Sequence, residues 1–250
     1  MLKHFLNPPN WFTSAGLFCG LYSMVLATGT GVGQDFYGAA VLILWAGIFD
    51  MLDGRVARIT KTGSAFGVQL DSLADVVSFG VAPAILLYAW GLSGLGVPGL
   101  LGGFAFALCG AFRLARFNLA ADGKAHAYSE GLTITAAGGT VAAWVMAHAA
   151  SGRTSVEHPG VVLSVVLTLA VLMVSRVPYR TFKTQKSARA TVIGLAMFLS
   201  VMLAIAIRYK PSYAFISFAS VYVSSGPLEA LLFRRRRKRE RQQQQKEDEV

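Results

Sequence analysis

Eight runs of apolar residues, each about the 17 to 25 residues that a helix needs to cross a bilayer, take up most of this chain. They cover Trp11 to Thr28, Phe36 to Arg58, Phe66 to Trp90, Leu100 to Arg116, Leu132 to Ala150, Pro159 to Val177, Ala188 to Ile207 and Tyr213 to Phe233. Backbone polar groups in hydrocarbon must be satisfied within the segment, so runs of this kind are helices. The expectation is an all-α polytopic membrane protein with about eight transmembrane helices. With 54% hydrophobic and 14% charged residues, an ordinary soluble domain is excluded. The connections are short and carry breakers such as "TGTGVG", "GLSGLGVPG" and "YKPS", which leaves no room for a second folded domain. Residues 1–233 read as a single transmembrane domain and 234–250 as a basic, then polar, disordered tail. Asn7, Pro8, Pro9 and Asn10 interrupt the approach to the first run, whose length suits a retained span better than a cleaved signal.

Lys and Arg set the orientation, because basic residues flanking spans stay preferentially on the cytoplasmic side. With the N-terminus inside, 20 of the 23 Lys and Arg fall in cytoplasmic segments, against Arg153, Arg208 and Lys210 outside. Both termini are then cytoplasmic, in a multi-pass protein of the cell membrane. The tail "RRRRKRERQQQQKEDEV" acts as a topology anchor and draws toward anionic headgroups. Nucleic acid is not an expected partner, since no folded domain carries a basic face. Cys19 and Cys109 lie inside spans and read as buried apolar residues.

Against this background the stretch "DMLDGRVARITKTGSAFGVQLDSLAD", Asp50 to Asp75, is anomalous: it holds four aspartates at or inside two spans. At 100° per residue, Asp50, Gly54 and Ala57 share one side of the second helix with Asp53 beside them, and Gly67, Asp71, Asp75 and Ser78 form a stripe on the third. Two such stripes on consecutive antiparallel helices can face each other near the cytoplasmic surface. Each charge in hydrocarbon costs at least about 2.5 to 3.5 kcal/mol, so the acids need cations. One or two divalent ions with oxygen ligands would neutralise them and could bridge phosphates. Gly54, Ala57 and Gly67 let a bulky ligand approach the backbone, and the Arg58 guanidinium can grip phosphate oxygens. Taken singly, Gly and Ala in a membrane helix serve packing and an arginine at a helix end sets topology. Four clustered acids resist that explanation, because acids within the membrane mark functional sites.

The pattern Asp50-x2-Asp53-Gly54-x2-Ala57-Arg58-x8-Gly67-x3-Asp71-x3-Asp75 resembles, at every position, the signature of the CDP-alcohol phosphatidyltransferases. The resemblance implies a phosphotransferase. It implies that Asp50, Asp53, Asp71 and Asp75 bind divalent metal, Mg²⁺ or Mn²⁺, as a pair of ions, with Asp75 also the general base. It places Gly54, Ala57, Arg58 and Gly67 on the CDP headgroup of CDP-diacylglycerol, and "PNWFT" adds Asn10 and Thr13 near the cytidine. The chemistry is then in-line attack of an alcohol on the lipid-side phosphorus with CMP leaving. The scattered histidines His4, His126, His148 and His158 give no support to a phosphohistidine route.

"SLADVVSFGVAPA" (Ser72 to Ala84), "FRLARFN" (Phe112 to Asn118) and "GLTITAA" (Gly131 to Ala137) are similar to the branch of that family that uses L-serine. The serine carboxylate would need a cation in an acid-rich site. Arg113 or Arg116 is the natural partner, with Ser78 orienting the substrate. Glycerol 3-phosphate, inositol phosphate or choline are the alternative acceptors. A cation-coupled transporter is the distant alternative, disfavoured because its acids would lie near the midplane beside broken helices and inverted repeats. The last three helices carry no further resemblance and are left for packing or a homodimer contact.

Overall fold

The computed structural model describes residues 7–120, 128–152, 156–180, 212–228 and 230. The expected span Ala188 to Ile207 and the basic tail lie outside these residues. Helix α1 (Pro8–Thr28) opens with prolines in its first turn, where a missing N–H is harmless, and ends at Gly29 in the left-handed region. Helix α2 (Phe36–Thr60) is capped by Asp35, whose Oδ1 accepts the Gly38 N–H at 2.8 Å. It ends at Lys61, a non-glycine residue with φ of 54°, whose N–H donates to the Ala57 carbonyl. Ser64 then caps α3 (Ala65–Asp75) by accepting the Gly67 N–H at 3.0 Å. Four residues thus reverse the chain and set α3 antiparallel to α2.

Helix α3 continues through a π-helical segment (Val76–Val81), α4 (Ala82–Leu87), a second π-helical segment (Tyr88–Leu92) and a 3₁₀ turn (Ser93–Leu95), one rod over Ala65–Leu95. Pro83 explains the first widening. It has no N–H to donate to Phe79, and its ring would press on that carbonyl in an α-turn. The Ala82 N–H accordingly reaches back to Val77, five residues away. Helix α5 (Val97–Ala120) follows, then β1 (Tyr128–Glu130), α6 (Ile134–Ala150), α7 (Pro159–Val174), β2 (Pro178–Arg180) and α8 over 212–228.

Four helical stretches are long and apolar enough to cross a membrane among the described residues: Pro8–Thr28, Phe36–Thr60, Ala65–Leu95 and Val97–Leu119. Helices α6 and α7, at 17 and 16 residues, are shorter than the runs Leu132 to Ala150 and Pro159 to Val177 suggested. Gly131 is left-handed at φ of 77° and Thr133 caps α6 from outside, so that helix cannot begin earlier. Pro178 forces the residue before it to be extended, which fits the end of α7 at Val174. The described residues depart from an all-helical fold in one place, an antiparallel two-stranded ladder pairing Ser129 with Tyr179 and Glu130 with Pro178.

Small residues let the helices close up. A Cβ on Gly20 would lie 2.8 Å from the Ser78 Cα, so α1 meets the first π segment backbone to backbone. A Cβ on Gly138 would lie 2.7 Å from the Phe79 carbonyl oxygen, the acceptor that Pro83 leaves without its usual donor. Phe79, Leu86, Leu87, Phe106, Ile134, Val141, Val145 and Met173 fill the centre. Trp11, Phe18, Leu101, Phe104 and Val171 point outward, where hydrocarbon suits them.

Candidate active site

The α2–α3 turn brings two acidic helix faces together. Carboxylate oxygens of Asp50, Asp53 and Asp71 lie within 4.8 Å of one another. Oxygens on opposite sides of one ion would be about 4.2 Å apart for Mg²⁺ and about 4.6 to 5.2 Å apart for a larger hard cation such as Ca²⁺. The three carboxylates therefore fit a divalent ion with little movement. Asp75 stands one turn further along α3, outside that trio, and lines the same narrow pocket with Thr13, Gly16, Ala46, Ser78 and Phe79.

Asp53 is buried, and its orientation comes from another helix: the Thr13 hydroxyl of α1 donates to its Oδ2 at 2.7 Å. The resemblance suggests that Thr13 sits near the nucleotide, but sequence reasoning missed this duty. A threonine one turn into a membrane helix carries no local sign that its partner lies 40 residues away. Asn10, also buried, sits against Gly67, where a Cβ would come within 3.2 Å of its Oδ1. The Asn7 amide donates to the Thr62 carbonyl at 2.8 Å, which fastens the start of α1 to the α2–α3 turn. Arg58 is exposed and folds back along α2, its Nε donating to the Gly54 carbonyl at 2.8 Å. Nothing comes closer than 4.0 Å to a Cβ built on Gly54, and Ala57 is half-buried, so this rim is open to a ligand.

Ser78 is buried, and its hydroxyl donates to the Gly16 carbonyl at 3.1 Å, fastening the π segment to α1 at the pocket's edge. The two arginines of α5 part company. Arg113 is buried at 6% exposure, its guanidinium 5.2 Å from the Phe117 ring centroid, and it is an electrostatic neighbour of Asp75. Arg116 turns the other way. It donates to the carbonyls of Val174 at 2.9 Å, Glu130 at 3.1 Å and Ser175 at 3.3 Å, and so holds the end of α7 to the strand before α6. Gly131 is fixed in the same corner, because a side chain there would strike the Met173 carbonyl. Asn118 donates to the Ser72 hydroxyl at 2.9 Å, which joins "FRLARFN" to "SLADVVSFGVAPA" beside Asp71.

These features define a class: a multi-pass membrane protein with an oxygen-rich, acidic site built by two antiparallel helices and closed by a third. The carboxylates of Asp50, Asp53 and Asp71 are oxygen ligands of the type suited to a hard cation. A family model described as CDP-alcohol phosphatidyltransferase matches residues 6–174. The chain belongs to that family. A CDP-diacylglycerol--serine O-phosphatidyltransferase of Helicobacter pylori (strain ATCC 700392 / 26695) is 35% identical over 229 residues, covering 88% of this chain and 91% of the relative. An archaetidylserine synthase of Methanothermobacter thermautotrophicus is 32% identical over 182 residues, 71% of each chain. A CDP-diacylglycerol--serine O-phosphatidyltransferase of Methanocaldococcus jannaschii is 50% identical over 98 residues, 39% of this chain and 47% of the relative.

Proposed function

We propose that this protein transfers the phosphatidyl group of CDP-diacylglycerol to L-serine, giving phosphatidylserine and CMP. The observation that carries the chemistry is the convergence of Asp50, Asp53 and Asp71 beside Asp75 in one pocket. Similarity to serine O-phosphatidyltransferases over most of the chain supports the acceptor.

In this reading Asp50, Asp53 and Asp71, with Asp75 at the edge, hold divalent metal, Mg²⁺ or Mn²⁺, as two ions. When bound, the metal offsets the charge of the diphosphate as CMP departs. Gly54, Ala57, Arg58, Gly67 and Asn10 line the approach for the nucleotide, and Thr13 keeps Asp53 turned toward the acids. Asp75 takes the proton from the serine hydroxyl. The oxygen attacks the lipid-side phosphorus in line, and the bond to CMP breaks with its electron pair leaving on CMP. Arg113 meets the serine carboxylate, with Ser78 at the same wall. Arg116 acts through the backbone it holds.

The same reading takes the protein as eight spans with both termini cytoplasmic, residues 1–233 as one catalytic domain and 234–250 as a basic tail near anionic headgroups. The site then opens to the cytoplasm from the cell membrane, and the last helices serve packing or a homodimer contact. The Lys and Arg distribution supports that orientation. The test is a purified-protein assay with CDP-diacylglycerol, divalent metal and a panel of serine, glycerol 3-phosphate, inositol phosphate and choline. Serine-dependent CMP release is expected. Preferential use of another alcohol would overturn the acceptor, and absence of CMP release with every alcohol would overturn the enzyme.

A further inference from the structure

The rod Ala65–Leu95 is seated at two levels. At the first, α3 turns Asp71 and Asp75 into the pocket that Asp50 and Asp53 of α2 also line. At the second, from Phe79 to Trp90, the rod is fixed against α5 and α6. A Cβ on Gly138 of α6 would lie 2.7 Å from the Phe79 carbonyl oxygen, and a Cβ on Gly103 of α5 would lie 3.3 Å from the Ala84 carbonyl oxygen. The Trp90 indole N–H donates to Nδ1 of His148 on α6 at 3.3 Å. Contacts this close to the backbone leave the second level little freedom to turn about its own axis. The π segment Val76–Val81 joins the two levels, and there the Ala82 N–H donates to Val77 rather than to Ser78. Such a turn holds one residue more than an α-turn, so it offsets the face of α3 from that of α4 by about one residue's rotation, about 100°.

We propose that Pro83 is a positioning residue for the acids: by withholding the N–H that Phe79 would accept in an α-turn, it keeps this turn open, and the open turn aims Asp71 and Asp75 at α2. The inference rests on the reading of these acids as metal ligands. Pro83 lies eight residues beyond Asp75 and is not among the residues that line the pocket, so it acts only through the backbone. Helix α1 is fitted to the open turn. The Ser78 hydroxyl donates to the Gly16 carbonyl at 3.1 Å, and a Cβ on Gly20 would lie 2.8 Å from the Ser78 Cα. Closing the turn while the second level stays seated would swing α3 by about 100°, which carries Asp71 out of the cluster that spans 4.8 Å with Asp50 and Asp53.

The experiment uses the purified full-length chain in detergent, with Mn²⁺ as the probe and its affinity read from the EPR signal of the free ion. Pro83→Ala supplies the missing donor and favours the α-turn. A second variant combines Pro83→Ala with removal of Val77, which takes out the extra residue and returns the acids to their face on an unbroken α-helix. Pro83→Ala is expected to raise the Mn²⁺ Kd at least about tenfold, the scale seen when groups that orient metal ligands are lost, and to lower serine-dependent turnover by a similar factor. Its thermal midpoint should not fall, because alanine is the better helix former. The combined variant should bind Mn²⁺ within about threefold of the unmodified protein, a recovery that a merely structural role for Pro83 would not produce. A Mn²⁺ Kd within twofold of normal in Pro83→Ala, or a loss that removal of Val77 does not reverse, would overturn the inference. If the unmodified protein does not bind Mn²⁺, the metal-assisted reading of the site fails instead.

Discussion

The Thr13 hydroxyl donates to Oδ2 of Asp53 across 2.7 Å, from a helix that precedes the acid by 40 residues. Both residues are buried, so the bond holds the Asp53 carboxylate in one orientation. Groups that orient a metal ligand in this way typically change affinity or activity by about 10- to 100-fold when removed. Thr13→Val keeps the shape and removes the donor. It is expected to lower turnover by at least about tenfold and to raise the Mg²⁺ concentration needed for half-maximal rate, with the serine KM unchanged. A metal titration of the variant checks this.

Charge removal at the trio itself should be more severe. Asp50→Asn, Asp53→Asn and Asp71→Asn each keep volume and lose one negative charge from a cluster spanning 4.8 Å. Each should lower kcat by at least about 10², the scale of lost electrostatic preorganisation. Asp75→Asn should abolish turnover while CDP-diacylglycerol binding survives, because proton removal is separate from holding the nucleotide. Binding measured beside CMP release separates the two duties.

Arg113 and Arg116 should give different phenotypes. If Arg113 pairs with the serine carboxylate as proposed, Arg113→Gln is expected to raise the serine KM at least about tenfold. Arg116→Gln releases three backbone carbonyls and should lower the thermal midpoint, with a serine KM close to normal. Similar serine KM values in both variants would reverse this division of roles.

Gly131→Ala tests the corner that Arg116 closes. The left-handed φ of 77° alone costs an alanine about 1 to 2 kcal/mol, and the new methyl would meet the Met173 carbonyl. A lower midpoint of thermal unfolding in detergent is expected, larger than for Gly139→Ala, where no atom lies within 4 Å of the added carbon.

Topology is tested at the turn between α2 and α3. Lys61 is exposed at that turn, so Lys61→Cys should react with a thiol reagent from the cytoplasmic side and resist an impermeant reagent added outside intact cells. The native Cys19 and Cys109 lie inside spans and should label poorly.

The amino-acid sequence by itself determined the environment, the family and the acids. Apolar runs of spanning length require helices, because the bilayer offers no other partner for the backbone. Asp50, Asp53, Asp71 and Asp75 could be set on facing stripes because helical periodicity is local and needs no knowledge of the rest of the fold. Turn chemistry was less legible: Lys61 supplies a left-handed residue where glycine would be expected, and Pro83 widens the third rod rather than ending it. Tertiary structure alone decided which neighbours meet. Arg113 and Arg116 are nearly equivalent in sequence, three residues apart on one helix. One is buried against the Phe117 ring and the other holds the end of α7, a difference set by how α5 is rotated in its packing. Thr13 against Asp53, and Tyr179 against Val223, are likewise contacts between distant elements, brought about where Gly20, Gly138 and Gly226 let backbones and rings come close. Periodicity can give the face on which a side chain lies; close packing between helices selects what that face touches.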